Sequence, residues 1–371
     1  MTNTQLKIAT FNLFNYLEPP NAFYDFERIY SAEQWQKKQK WIADYLLEHQ
    51  PNIIGFQEVF SPESLKQLVA AQGYQHFAVV DQAQVIDDFI YRSPVVAIAS
   101  RYPIVALAAV KPNTELAESL GLASDFSFSR KVLRATVDVP HLGHCDCYVV
   151  HFKSKRSMIE LDEQDKTHSA EKTIIESLKV QVAGGWGSTI QRGSEAALLM
   201  IEMIARRETS NNPMVLMGDF NNSLADGVLS HLLTNTLRFV SAIDRDAYLA
   251  KYCLNDAWDL FQVAQSNDGD VQGETHIETH QQVSQAVSQA VSQEKVQTKP
   301  IARTPTHYFG ASSSVLDYIL LSSEFDASDH DSLYQVSDYH TYDRHLINPI
   351  FDRDGESTDH GIVLVTLTLR S

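Results

Sequence analysis

Cations are scarce in this chain. Its 371 residues include 30 lysines and arginines against 47 aspartates and glutamates, a formal charge of −17. That is a poor footprint for a protein that coats nucleic acid by neutralising phosphates. It leaves room for an enzyme that meets phosphate through a metal ion and a few local cations. Only three cysteines occur, which fits a reducing compartment. Cys145 and Cys147 lie two apart in a strand-like run, Cys-Asp-Cys-Tyr-Val-Val-His, so they share a face as small core residues. A single Cys-x-Cys with no second pair is weak evidence for zinc. There is no apolar run of roughly 18 residues, and the opening Met-Thr-Asn-Thr-Gln-Leu-Lys-Ile has no apolar signal core. The expectation is a soluble, cytoplasmic protein with no stable membrane association and no obligate protein partner.

What is present is enough hydrophobic material, 44%, for a large core; length alone allows one big α/β domain or two smaller ones. Short apolar strands recur at Lys7–Asn12, Asn52–Glu58, Pro94–Ser100, Val132–Val139, Cys145–His151, Met214–Asp219, Val315–Ser322 and Gly361–Leu369. Helix-period segments lie between some of them. Gln36–His49 carries Trp41, Ile42, Tyr45 and Leu46 on one face, Ser61-Pro62-Glu63 is a helix start, and Ser194–Arg206 is a helix closed by Asn211-Asn212-Pro213. Many consecutive strands with few helices between them predict a β-sandwich flanked by helices.

Two segments read as surface insertions into this unit. Residues 154–191 are polar and charged, contain Gly184-Gly185-Trp186-Gly187, and could form helices over the surface. Residues 265–300 are low in complexity, repeating Val-Ser-Gln-Ala from Val283. Valines at every fourth position permit a thin helical stripe, but so little else is apolar that a surface loop is expected. This segment holds five acids and two lysines, net −3, so −14 of the −17 belongs to the rest of the chain.

One pattern repeats: an apolar strand ends in a polar residue. Ala9-Thr10-Phe11-Asn12 ends in an amide, Phe56-Gln57-Glu58 in a carboxylate and Val149-Val150-His151 in an imidazole. Gly218-Asp219-Phe220-Asn221 ends in an acid and an amide, Asp317 sits inside an apolar run, and Thr358-Asp359-His360 precedes the last strand. One such end is a turn. Six of them, all Asn, Asp, Glu or His, point to a single site assembled across a sheet edge. Hard oxygen ligands from Asn12, Glu58 and Asp359 suit Mg²⁺ or Mn²⁺. Asp219 is placed to take a proton from an attacking water, Asn221 to hold that water or a phosphate oxygen, and His151 and His360 to donate to charge developing at phosphorus.

With these motifs the chain resembles the endonuclease/exonuclease/phosphatase superfamily, which includes pancreatic-type deoxyribonucleases, apurinic/apyrimidinic endonucleases, neutral sphingomyelinases and inositol-polyphosphate phosphatases. The resemblance runs from about Lys7 to Leu369 apart from the two insertions. It rests on Thr-Phe-Asn at 10–12, Gln-Glu at 57–58, Gly-Asp-Phe-Asn at 218–221, Leu-Asp-Tyr-Ile-Leu at 316–320 and Thr-Asp-His at 358–360, in that order. It implies an α/β (α+β) fold, a four-layer αββα sandwich of two mostly antiparallel sheets, with residues 1–371 forming one domain. It also implies that Asn12 and Glu58 stand at the metal with Asp359 nearby, and that Asp219 orients or deprotonates the water. Asn221 would then contact the scissile phosphate, and Asp317 would buttress His360. His151 matches the second histidine of the deoxyribonuclease-like branches, whereas the apurinic/apyrimidinic branch places a tyrosine there.

The chain departs from the family in two places. Thr-Asp-His-Gly-Ile stands where Ser-Asp-His and a later proline are common, and the 42-residue gap from Asp317 to Asp359 is long enough to form a loop near the site. Lys153, Lys155, Arg156 and Arg192 flank the His151 strand, as an ordinary solvated face or as a phosphate clamp. His307 is assigned a structural place. The expected activity is divalent-metal phosphodiester hydrolysis, as a nuclease on DNA or RNA. A phosphoesterase acting on a lipid headgroup or small phosphate ester is the alternative. A catalytically dead binding module is disfavoured, since it would not need this full set of polar strand ends.

Overall fold

Alternation along the first strand already dictates layers. Leu6 and Ile8 of Gln5–Tyr16 enter one buried cluster, while Ala9, Phe11 and Leu13 enter another. A strand buried on both faces needs a packed layer on each side. The computed structural model describes residues 4–159, 170–233, 249–271, 301–330 and 332–370.

In chain order the strands begin with β1 (Gln5–Tyr16), β2 (Ala22–Phe23), β3 (Ile53–Val59), β4 (His76–Val79), β5 (Gln84–Asp87) and β6 (Ile90–Arg92). There follow β7 (Val95–Ser100), β8 (Ile104–Val110), β9 (Val132–Val139), β10 (Gly143–His151), β11 (Met214–Asp219) and β12 (Asn255–Asp256). The last are β13 (His307–Phe309), β14 (Ser312–Ser314), β15 (Asp317–Leu321), β16 (Tyr334–Tyr342) and β17 (Ile362–Leu369). One six-stranded sheet runs β16-β17-β1-β3-β7-β4 and the other β12-β15-β11-β10-β9-β8. Only β1/β3 and β10/β11 pair in parallel within them; the rest is antiparallel.

Between the sheets lies one core, with Ile8, Ile53, Ile98 and Val365 from the first sheet meeting Val137, Val149, Met217 and Ile319 from the second. Cys145 and Cys147 are buried in it, as their spacing predicts. Helix α1 (Ala32–His49) covers the first sheet through Trp35, Trp41, Ile42, Tyr45 and Leu46. It starts four residues before the sequence-based boundary because Ser31 and Gln34 form a capping box. Helix α2 (Pro62–Ala71) adds Leu65 and Val69 to the same layer. On the second sheet, Tyr148, Val150 and Leu216 pack against Leu199, Met200 and Met203. These belong to α4 (Ala170–Ser210), which follows the short α3 (Thr114–Ser119). The result is the expected four-layer αββα sandwich.

Three expectations change. The helix foreseen at Ser194–Arg206 is 41 residues long and absorbs the second half of the 154–191 insertion, glycines included. Glycine costs about 1 kcal/mol in a helix interior, but Gly184 in the insertion and Gly193 beyond it stand where neighbours pack closely on the helix. A Cβ on Gly184 would collide with Ser157, and one on Gly193 would press on Val228. The 317–359 gap is not a loop. It supplies edge strand β16 and two short helices, Arg344–Ile347 and Phe351–Asp354. The low-complexity segment lies outside the described residues from 272 to 300, with Val283, Val287 and Val291; its first residues end the helix Ala257–Val271.

Candidate active site

The parallel pair β10 and β11 ends with His151 directly beside Asp219, and across the antiparallel pair Asp219 stands beside Asp317. Gly218 makes this register possible. Its φ of +152° and close approach to β10 leave no room for a side chain, since a Cβ would collide with the Val150 carbonyl oxygen. Gly218 is therefore a packing residue between two strands.

In the first sheet, β1 and β3 lose register between Asn12 and Tyr16. Phe14, Asn15 and Glu58 take positive φ values of 50°, 56° and 60°. Such an irregularity bends the strand ends and re-aims side chains. The Asn15 amide donates to Glu58 Oε2 at 2.9 Å, fixing that carboxylate.

Asp219 is the hub. Its Oδ1 accepts the Asn221 amide at 2.8 Å, and Oδ2 accepts Asn12 Nδ2 at 3.2 Å. His151 Nε2 lies 3.4 Å and His360 Nε2 3.9 Å from the same Oδ2. Burial pushes the Asp219 carboxyl up to about 7, against the pull of His360. His360 Nδ1 is bonded to Asp317 Oδ2 at 2.8 Å. Burial opposes charge on His360, but Asp317 and Asp219 outweigh it and hold the imidazole well above its ordinary range. His151 moves the other way: burial, reinforced by Arg130 and His360, pushes it well below the usual value. Asn221 Nδ2 donates to Phe152 O at 3.0 Å. Thr358 Oγ1 donates to Asn12 O at 2.7 Å, tying the Asp359–His360 turn to β1.

The donor set fits a hard divalent cation. After burial, the charge of Asp359 is the main reason the Glu58 carboxyl is raised. Asp359 makes only a 4.0 Å approach to His360 Nε2 among the described ion pairs. Asn12 is close by, although its Oδ1 already accepts the Phe14 amide at 3.0 Å. Two tighter groups of donor atoms surround His360, one with His307 and Asp359 and one with Asp219 and Asp317. In the second, His360 and Asp317 are already joined by a hydrogen bond. His307 pairs by backbone with His360, and its ring lies 5.3 Å from that imidazole.

The sequence-based cations divide. Lys155 and Arg156 are exposed, with Arg156 over the Tyr24 ring at 5.9 Å. Half-buried Lys153 donates to the Arg156 carbonyl at 3.1 Å. Arg192 is only 2% exposed and donates to Lys153 O at 2.8 Å. Two further basic residues escaped the sequence reading. Arg130 acts on Glu58, His151 and Lys153 alike, and its buried Nε has no partner among the described residues. It stands beside Lys131 just before β9, and nothing local marks it. Lys38 is 1% exposed and donates to Ser357 O at 3.0 Å beside the Asp359 turn. A lysine on the apolar face of α1, in register with Trp35, Trp41 and Tyr45, was the available signal.

Comparison with known proteins agrees with this fold. The Endonuclease/Exonuclease/phosphatase family model matches residues 9–338. No curated protein matches the chain. Among solved structures, the human Nocturnin catalytic domain with bound sulfate is 15% identical, with a TM-score of 0.53, 99% of this chain and 95% of that one being covered. An endonuclease/exonuclease/phosphatase from Beutenbergia cavernae is 17% identical, with a TM-score of 0.50 and coverage of 99% and 72%. Truncated Caenorhabditis elegans TDP2 is 12% identical, with a TM-score of 0.50 and coverage of 99% and 98%. At these identities the structures speak to the fold. The family match decides the class: this chain belongs to the Endonuclease/Exonuclease/phosphatase family and is a metal-dependent phosphoric ester hydrolase.

Proposed function

We propose that the chain is a nuclease, hydrolysing phosphodiesters of DNA or RNA by in-line attack of water, with Mg²⁺ or Mn²⁺ as cofactor. The observation that carries this reading is one buried carboxylate, Asp219, within reach of two imidazoles of opposite charge preference. An acid held near neutrality is matched to accept a proton from water at ordinary pH. His360, charged and oriented by Asp317, turns Nε2–H toward the Asp219–Asp359 side, where a phosphoryl oxygen gains charge in the transition state. His151, neutral, adds a second nitrogen beside the same oxygen.

Asn221 fixes the Asp219 carboxylate through its amide. Its expected contact with the scissile phosphate requires the bond from Nδ2 to Phe152 O to open. Glu58 and Asp359, with the Asn12 carboxamide, would hold the metal. When bound, the ion supplies Lewis-acid polarisation of the phosphate and a lowered pKa for water. Arg130, Lys153, Lys155 and Arg156 form the phosphate-binding rim. Arg192, buried and bonded to Lys153 O, supports that rim from behind.

The alternative is a phosphoesterase acting on a lipid headgroup or small phosphate ester. One observation favours it: the chain carries a charge of −17 and only a short rim of cations at this site, and a small substrate needs no long basic groove. Assaying the purified protein with Mg²⁺ or Mn²⁺ on plasmid, single-stranded DNA, RNA, sphingomyelin and a small phosphate ester separates the two. The nuclease reading expects cleavage of at least one nucleic acid, abolished by chelator. Hydrolysis of sphingomyelin or the small ester with all nucleic acids intact would overturn it.

A further inference from the structure

Away from the catalytic centre, a cleft of about 430 Å³ opens between the edge of the second sheet and the C-terminal half of α4. Its floor is one rung of the sheet, where Ala108 of β8 lies opposite Arg134 of β9, which lies opposite Tyr148 of β10. Its wall is the face of α4 that carries Glu202, Ala205 and Arg206. The space exists because alanines stand at 108 and 205, where larger residues would bring the edge strand and the helix into contact.

The cleft and the catalytic centre use opposite faces of β10. Cys147 and Val149 point into the core between the sheets, and His151 follows them by alternation, while Tyr148 and Val150 point toward α4. A ligand bound against Tyr148 therefore does not enter the site around Asp219.

Two polar groups of the cleft are buried without a partner among the described residues. Tyr148 is 1% exposed, yet its hydroxyl has no hydrogen-bond partner among the described residues, and Arg134 Nε has none either. Burial and the Asp146 carboxylate push that hydroxyl above its ordinary value, with the Arg134 guanidinium pulling the other way from a geometry that does not complete a hydrogen bond. A buried donor left unpaired is costly, and an arginine can only donate. Arg206 enters from α4, its Nε held at 2.9 Å by Asp146, which leaves its terminal nitrogens unassigned. Lys111 lies exposed at the mouth. Three cations and a hydroxyl thus converge on one cleft, with Glu202 as the one carboxylate lining it, in a chain whose charge is otherwise strongly negative.

The geometry points to a second ligand site here, for a small molecule bearing a phosphate group. The phosphate sits against Arg134, Tyr148 and Arg206, and the remainder of the molecule lies along the alanine floor toward Glu202. Arginine forks suit a tetrahedral dianion, and Tyr148 can donate to a third oxygen.

Inorganic phosphate is the probe, titrated calorimetrically into the metal-free full chain at constant ionic strength. The parent, Arg134→Met, Tyr148→Phe and Arg130→Met proteins are compared, the last removing a cation of the catalytic rim. Loss of one charge-assisted hydrogen-bonding group should weaken the cleft component about tenfold or more in Arg134→Met, and by about threefold in Tyr148→Phe. Arg130→Met should leave that component in place. Tyr148→Phe removes only an unpartnered hydroxyl, so the protein stays folded and the comparison stands even if Arg134→Met is unstable. Absence of phosphate binding in the parent would overturn the site. So would binding that disappears with Arg130→Met and is untouched by Tyr148→Phe.

Discussion

His151 and His360 approach the same oxygen of Asp219, with Nε2 of each at 3.4 and 3.9 Å from Oδ2. They do so with opposite protonation preferences. Burial drives His151 down, while Asp317 and Asp219 hold His360 up against burial. Two imidazoles beside one acid can therefore serve different purposes at one pH.

The Asp317–His360 contact sets the alkaline side of the pH–rate profile. A group whose folded pKa is raised keeps its proton through neutrality and loses it only at higher pH. Asp317→Asn removes the main source of that rise, so the alkaline limb should move to lower pH. The rate at neutral pH should fall by about a hundredfold, the lower range for a positioned acid–base group. Following the His360 ring by NMR in parent and variant checks the cause. An unmoved limb would mean that His360 is not the titrating group.

Glu58 is predicted to hold the metal. Glu58→Gln keeps the Asn15 contact but removes a charged hard ligand, so calorimetric titration with Mn²⁺ should give a weaker dissociation constant. Excess chelator should inactivate the parent. An unchanged constant would remove Glu58 from the ligand set, and full activity in chelator would remove the metal.

Gly218 tests the packing that joins β10 to β11. Gly218→Ala drives a methyl into the Val150 carbonyl at a positive φ, and should cost about 3 kcal/mol or more from overpacking and backbone strain. Gly227→Ala meets open space and is the control, expected to shift stability by less than about 1 kcal/mol. Denaturant unfolding of the two variants decides it; equal stabilities would contradict the close approach seen at Gly218.

Much of the site was legible because its residues end strands whose apolar runs are strong. Asn12, Glu58, His151, Asp219 and Asp317 each close or interrupt such a run, and the sheets bring them together with Asp359 and His360. What escaped was set by tertiary contact. The sequence allows helices in 154–191, but their union with 194–206 into one α4 runs through Gly184 and Gly193, beside Ser157 and Val228, and local propensity cannot register those contacts. Strand β16, Tyr-Gln-Val-Ser-Asp-Tyr-His-Thr-Tyr, is too polar to stand out until it pairs with β17 at the sheet edge. Arg130 stands just before β9, and only the folded chain brings its charge to bear on both Glu58 and His151.

The assignment of Asp219 as the acceptor of the water proton is tested most directly by single-turnover hydrolysis of a phosphodiester substrate with Mg²⁺, comparing the parent with Asp219→Asn. The substitution keeps the shape of the side chain and removes its charge and its basicity. The rate constant should fall by at least about a hundredfold with the melting temperature little changed, whereas a variant retaining more than about a third of the parent rate would contradict the mechanism.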